Sequence, residues 1–406
     1  MNLYIKKYFT ETNWVIFIMI LFCIRYIPLE TRAGASMIKT GVSLICLFLL
    51  IIKFQYVSKS LFLTLTYYVV VLICVSFHPQ TFRWSTMLYL LSFLIVYTIY
   101  YNAIVCRQLI DYNLFVTILK RLIYAYTIVL LLQQILLIAG IHEYPLLNLT
   151  QFLNRGIGAN SLSGEPSVTA RIMAVLYLAL IRMEEIKYNR SIKIEDMWQD
   201  FRWPTIGFLW TMFTMGSATA MIGIGLLSFY FMNVRYLITC LTLCIAFIII
   251  APHIEFTPVQ RVYSIGKAMF TGDKKTVFKA DDSGASRIIP IMNLFQLDIA
   301  DRDTWFGKGI DYSEQTSNKH VERVYNRVLG NINEYGLISY FFLLLLVYTC
   351  MIYRFFSLET LFFIFLFAGT LGNVAYGWGA IMIFTAVRYF QKRENIGLGS
   401  ELINKK

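Results

Sequence analysis

Three groups of residues have types and spacing that could do chemistry. The first is the stretch from Asn154 to Ser167, which holds Gly156, Gly158 and Gly164 ahead of Glu165-Pro166-Ser167. Glycines permit tight turns and a close approach of backbone to a ligand. Pro166 suits the first turn of a helix, which puts Glu165 at the positive end of its dipole and Arg171 about one and a half turns inside. The pair can be a capping acid with a buried arginine partner, or a charged site at the mouth of a membrane helix. Ionisable groups there are costly and mark function, which favours the second reading. The second group is Arg287, whose planar guanidinium could grip a phosphate through two parallel hydrogen bonds or could pair with Asp281 or Asp282. The third is His320 with Tyr325. A tyrosine ionises near pH ~10 and is a poor base without a strong shift, and His320 is a base candidate that could equally sit solvated in a loop.

Other chemistries lack their signatures. There is no Walker loop, no GxGxxG after a strand, no HExxH and no GxSxG elbow. Asp301 and Asp303 flank Arg302 and read as a loop charge cluster, so no metal and no cofactor is expected. The seven cysteines lie in or beside apolar runs, which excludes a disulfide framework and zinc spacing.

The elements that must position these residues are apolar. The chain has 406 residues, 58% hydrophobic and only 15% charged, and its apolar residues are clustered. Runs such as 61–75, 87–100 and 122–138 approach the roughly 20 residues that cross a bilayer. They lack period-two alternation, so helices rather than a barrel must satisfy the backbone. The pattern predicts an all-α polytopic membrane protein with about twelve spans. They run near 13–28, 36–53, 60–77, 85–105, 121–140, 166–183, 204–216, 218–234, 236–251, 336–353, 357–372 and 375–390. The short seventh and eighth spans meet at Met215-Gly216-Ser217 and could be one broken helix. The first span lacks a small-residue cleavage site and is expected to be retained.

Lys and Arg crowd one set of loops, which predicts cytoplasmic termini and puts the 141–165 loop and residues 252–335 outside. The net charge of +12 is then an orientation signal and a contact with anionic lipid, with no nucleic-acid partner. Residues 252–335 form a polar block holding 11 of the 24 acidic residues, balanced by 11 basic ones. It reads as an external subdomain inserted into a single membrane domain, 1–406. A secondary transporter built of equivalent halves would not need it.

Arg155, Gly158, Glu165-Pro166-Ser167 and Ala170 resemble the pattern of the Wzy-type O-antigen polymerases and their relatives, the O-antigen ligases. The stretch 305–311, with Phe306, Gly307 and Gly309, followed by 325–338, with Asn331 and Glu334-Tyr335-Gly336, is similar to their late-loop pattern. Arg287 is similar to the arginine these families carry in that loop, and the likeness extends over about residues 140–370. The resemblance implies a GT-C-like fold in a bacterial inner membrane and metal-independent glycosyl transfer between oligosaccharide repeat units carried on undecaprenyl diphosphate. It implies Glu165, His320 or Tyr325 as catalytic residues and Arg155, Arg171, Arg287 and Asn326 as contacts to diphosphate or sugar. A polysaccharide chain-length regulator is the protein partner it suggests. Ligases carry a His-Asn pair where this chain has Tyr325-Asn326, which favours a polymerase over the alternatives of a ligase or a lipid-linked oligosaccharide flippase.

Overall fold

The structure is a computed structural model that describes residues 10–24, 37–150, 157–231, 242, 249–253, 257–269, 271–280, 282–312, 320–367 and 375–404. Among the described residues the regular structure is helical, apart from one short antiparallel pairing of Glu143–Tyr144 with Leu149–Thr150. In chain order the helices preceding the polar block are α1 (Glu11–Cys23), α2 (Met37–Ile52), α3 (Lys59–Ser76), α4 (Trp84–Tyr101), α5 (Tyr112–Ile138), α6 (Pro166–Tyr188), α7 (Ile194–Thr214) and α8 (Ala218–Phe231). The block contributes α9 (Thr257–Met269), α10 (Lys274–Ala280), α11 (Asp282–Leu294), α12 (Arg302–Phe306) and α13 (His320–Asn326). After it come α14 (Ile332–Leu346), α15 (Leu358–Phe362) and α16 (Ala375–Asn404).

Among the described residues five helical stretches are long and apolar enough to cross a membrane: 59–76, 84–106, 112–138, 166–188 and 329–351. Shorter apolar helices lie at 11–23, 38–52, 218–231 and 358–367. Most of the 236–251 stretch lies outside the described residues. Helix starts follow local chemistry. Thr10, Ser58 and Asp111 each accept a hydrogen bond from the backbone N–H three residues on, which satisfies a donor that no helical carbonyl can reach.

Two helix starts lie nine or more residues ahead of the sequence expectation, and α16 runs past 390 to Asn404. Helix α5 starts at Tyr112 rather than 121, so Lys120 and Arg121 lie inside it. The Lys120 ammonium sits 4.5 Å from the Phe201 ring centroid, and that aromatic face makes the charge tolerable against α7. Helix α7 starts at Ile194 rather than 204, because a polar first half precedes a kink at Phe201 and Pro204. The seventh and eighth stretches are two helices, parted by Met215 and by Gly216 at φ +69°.

Helix α6 is the centre of the bundle, buried over most of its length and packed against α5, α7, α8 and α16. Helix α16 also packs on α1, and α3 on α14. Polar joins lock these contacts at depth. Tyr97 meets Thr385 at 3.0 Å, Thr64 meets Thr98 at 3.1 Å, and Thr127 meets Thr211 at 3.1 Å. The polar block has an apolar cluster of its own, with Ala268, Val277, Ala285, Ile289 and Val324 at its centre. Asp273 starts α10 by accepting from the Thr276 hydroxyl and from the N–H groups of Lys275 and Thr276, bonds that lower its carboxyl pKa.

Candidate functional site

Glu165 is the residue that precedes α6, and Pro166 fills its first turn. The Glu165 side chain is exposed and makes no capping bond; it accepts from the Ser167 hydroxyl at 3.3 Å. Arg171 is 9% exposed and does not pair with Glu165. Its Nη1 donates instead to the Tyr376 hydroxyl at 2.7 Å, while its buried Nε meets no acceptor. None of the described ion pairs includes it. Taking a cation out of water costs several kcal/mol unless an anion compensates it. Arg171 is therefore a buried positive charge facing a neutral hydroxyl.

The positive end of α6 is sunk into the bundle. Ser161, just before it, donates its hydroxyl to the Tyr126 carbonyl at 2.6 Å, and its N–H goes to Gln133 Oε1 at 2.7 Å. Tyr126 stands twelve residues before the end of α5 at Ile138, which is about 18 Å at 1.5 Å per residue. The Tyr126 hydroxyl in turn donates to the Cys23 carbonyl at the end of α1. The ends of α1 and the starts of α6 and α16 thus meet at one level, while α5 rises beside them as a wall. Asn160 and Ser161 are buried there; Thr169 donates to the Asn160 carbonyl at 2.5 Å, and Asn160 Oδ1 has no partner. An orphan donor and an orphan acceptor beneath a helix N-terminus suit a ligand that carries negative charge and hydroxyls.

The late-loop motif closes on itself. Lys308 and Gly309 donate their N–H groups to the Asn333 and Glu334 carbonyls at 2.7 and 3.3 Å, so stretches 305–311 and 325–338 form one clasp. Gly336 has φ +78°, and a Cβ there would lie 2.1 Å from the Trp305 carbonyl oxygen. Gly309 has φ +100°, with Thr81 Oγ1 2.1 Å from the site of a Cβ. The loop between α3 and α4 holds the clasp from below. His78 Nε2 bonds the Gly307 carbonyl at 2.8 Å, Arg83 pairs with Asp311 at 2.7 Å, and Phe77 meets Phe306 edge-on. Because the helices alternate in direction, this loop and the start of α6 lie at the same end of the bundle.

The remaining sequence candidates fall in the block. Arg287 is half-buried on α11, on the side away from Ala285 and Ile289, which face the small cluster. Asn293, on the same helix, donates to the Tyr325 and Arg327 carbonyls at 2.7 and 2.6 Å and so ties α11 to α13. Tyr325 lies against this cluster and meets Phe278 edge-on at 5.8 Å. The carbonyl of exposed Asn326 accepts from the Asn333 side chain. His320 opens α13, and Asp301 caps α12 through the Asp303 N–H. Arg155 and Asp281 lie outside the described residues.

Sequence reasoning missed Tyr376, Gln133 and Asn160. Tyr376 carries a faint signal: it is a hydroxyl-bearing aromatic at the start of the last helix, on the face where α6 also starts. Two surface cavities of about 640 and 320 Å³ open at the opposite end of the bundle, near Trp198 and Ser357. Comparison with protein-family models, curated proteins and solved structures finds no match to this chain.

Proposed function

We propose that this protein is a metal-independent glycosyltransferase that joins oligosaccharide repeat units carried on undecaprenyl diphosphate at the outer face of a bacterial inner membrane. The observation that carries the reading is Arg171, a buried guanidinium without a carboxylate partner just inside a recessed helix N-terminus. Such a place favours an anion, and a diphosphate leaving group develops its charge during sugar transfer. In this reading the acceptor sugar's hydroxyl attacks the anomeric carbon of the donor. The bond from that carbon to the diphosphate oxygen breaks, and the leaving diphosphate takes the electron pair. Glu165, exposed beside the recess, accepts the hydroxyl proton; His320 is the second candidate for that role. Arg155 and Arg287 share the diphosphate charge with Arg171, and one displacement inverts the anomeric centre. The clasped polar block roofs the site over a GT-C-like bundle of about twelve spans, and a chain-length regulator is its expected partner.

The test is complementation of a strain that lacks the protein, read as a ladder of surface polysaccharide on a gel. Deletion is expected to leave single repeat units capped on the core, and Glu165→Gln, Arg171→Met and Arg287→Ala are each expected to fail to restore long chains. Normal ladders from all three variants would remove the site. Lipid-linked units that are never capped would point to a ligase, and units retained on the cytoplasmic face to a flippase.

A further inference from the structure

The opposite end of the bundle carries a cationic corner that lies outside the proposed transfer site. The turn after α14 reads Tyr353-Arg354-Phe355-Phe356-Ser357. It borders the 320 Å³ cavity, together with Asn189 at the end of α6 and Gln391 on α16. Two other arginines line that cavity, and both are neutralised. Arg182 is held by Glu359 and Glu185 at 2.6 and 2.7 Å, and Arg190 is held by Asp196 at 2.8 Å.

Arg354 is different. Its guanidinium stands 5.7 Å from the Tyr353 ring centroid, and the Lys392 ammonium stands 6.0 Å from the same ring. Among the described residues no carboxylate pairs with Arg354, Lys392 or Lys59. Burial lowers the pKa of the Lys392 ammonium, and the like charges of Arg388 and Lys59 lower it further. Arg388 itself is turned inward to the Tyr348 and Ile352 carbonyls. Among the described residues, no carboxylate offsets the positive charge gathered at this corner.

Beside these cations the surface is apolar. Phe356 is 94% exposed and Phe355 60% exposed, at the turn between two apolar helices. Cations next to exposed aromatics at the end of membrane helices match a phosphate linked to acyl chains. A free anion would engage the cations and leave the phenylalanines unused. We infer that this corner is a binding site for one anionic phospholipid, its phosphate between Arg354 and Lys392 and its acyl chains along Phe355 and Phe356.

The experiment uses the full-length protein, delipidated in detergent and titrated separately with phosphatidylglycerol, phosphatidylcholine and inorganic phosphate, with lipid retention read by native mass spectrometry. One phosphatidylglycerol is expected to be retained about tenfold more tightly than phosphatidylcholine. The Arg354→Gln/Lys392→Gln double variant is expected to lose about that factor, which corresponds to about 1.4 kcal/mol. Phe356→Ser should weaken phosphatidylglycerol binding, and Lys275→Gln in the polar block should leave it unchanged. All four substituted side chains are exposed, so a matching thermal unfolding midpoint is expected throughout. Equal retention of the two lipids, or full retention by the double variant, would overturn the site. Inorganic phosphate displacing the lipid at equal concentration would overturn the lipid as its occupant.

Discussion

Arg171 and Tyr376, 205 residues apart in sequence, meet inside the bundle through a 2.7 Å hydrogen bond from Nη1 to the phenol oxygen. The bond joins the start of the central helix to the start of the last one, and a neutral hydroxyl is the polar partner that reaches the guanidinium. In the proposed function this charge binds an anion, and its burial without a carboxylate is not by itself a source of stability.

Stability measurements distinguish the two uses. Arg171→Met keeps an unbranched apolar stem like that of arginine and deletes the uncompensated guanidinium charge, so its unfolding midpoint is expected to equal or exceed that of the parent while polymer disappears. Tyr376→Phe strands the guanidinium and is expected to cost about 1–3 kcal/mol. Arg171→Met in the Tyr376→Phe background should recover that loss in a double-mutant cycle. A large loss of stability from Arg171→Met alone would make the arginine structural.

Glu165→Gln separates capping from chemistry in the same way. The carboxyl makes no capping bond, so its change to an amide is expected to move stability by less than about 0.5 kcal/mol while chain length collapses. A stability loss near 1 kcal/mol, the size of a lost cap, would count against the catalytic role.

The clasp predicts an order among glycine substitutions. Gly336→Ala drives a Cβ onto the Trp305 backbone, which cannot rotate away, and Gly309→Ala meets the movable Thr81 side chain. Gly336→Ala is expected to be the more damaging, costing about 2 kcal/mol or more and opening the 305–338 region to limited proteolysis. Thr81→Ala should relieve part of the Gly309→Ala defect and none of the Gly336→Ala defect.

Tyr325→Phe tests the hydroxyl apart from the ring. The ring packs on Phe278, so Tyr325→Phe is expected to retain polymer and Tyr325→Ala to loosen α10, α11 and α13. Loss of polymer in Tyr325→Phe, with unfolding unchanged, would return the phenol to the catalytic set.

Asp196 provides a pH test at the start of α7. The Arg190 guanidinium, with the Lys193 N–H, holds its carboxyl down to about 2. A lowered folded-state value means the pair's contribution is present above the unfolded value near ~3.9 and is lost as pH falls through about 2. The difference in unfolding midpoint between the parent and Asp196→Asn should stay constant from about pH 7 to 5 and shrink below about pH 4. A difference that grows on acidification would reverse the sign of the interaction.

The site was legible in the sequence where its signals are local. Pro166 after Glu165 marks the α6 terminus, since a proline is favoured in a first helical turn, where its missing N–H has no helical partner to lose. The interruption at 215–217 is readable as well, since small residues interrupt an apolar run, though the sequence leaves open whether it parts two helices or breaks one; α14 starts at Ile332, ahead of the expected Gly336. The α5 and α7 starts are not readable, because Lys120 and the polar residues before Pro204 read as loop, and only the fold sets aromatic rings beside Lys120 and Arg202.

By itself, then, the sequence determined an all-helical membrane chain, the positions of most of its helices and the identities of Glu165, Arg171 and Arg287 as chemically able groups. Hydropathy and capping act over a few residues, so a linear reading captures them. Only the tertiary structure decided that Arg171 faces Tyr376 rather than Glu165, that Ser161, ahead of α6, reaches Tyr126 about 18 Å below the end of α5, and that 305–311 clasps 325–338. Those relationships join residues that are distant along the chain, and packing rather than local preference selects them.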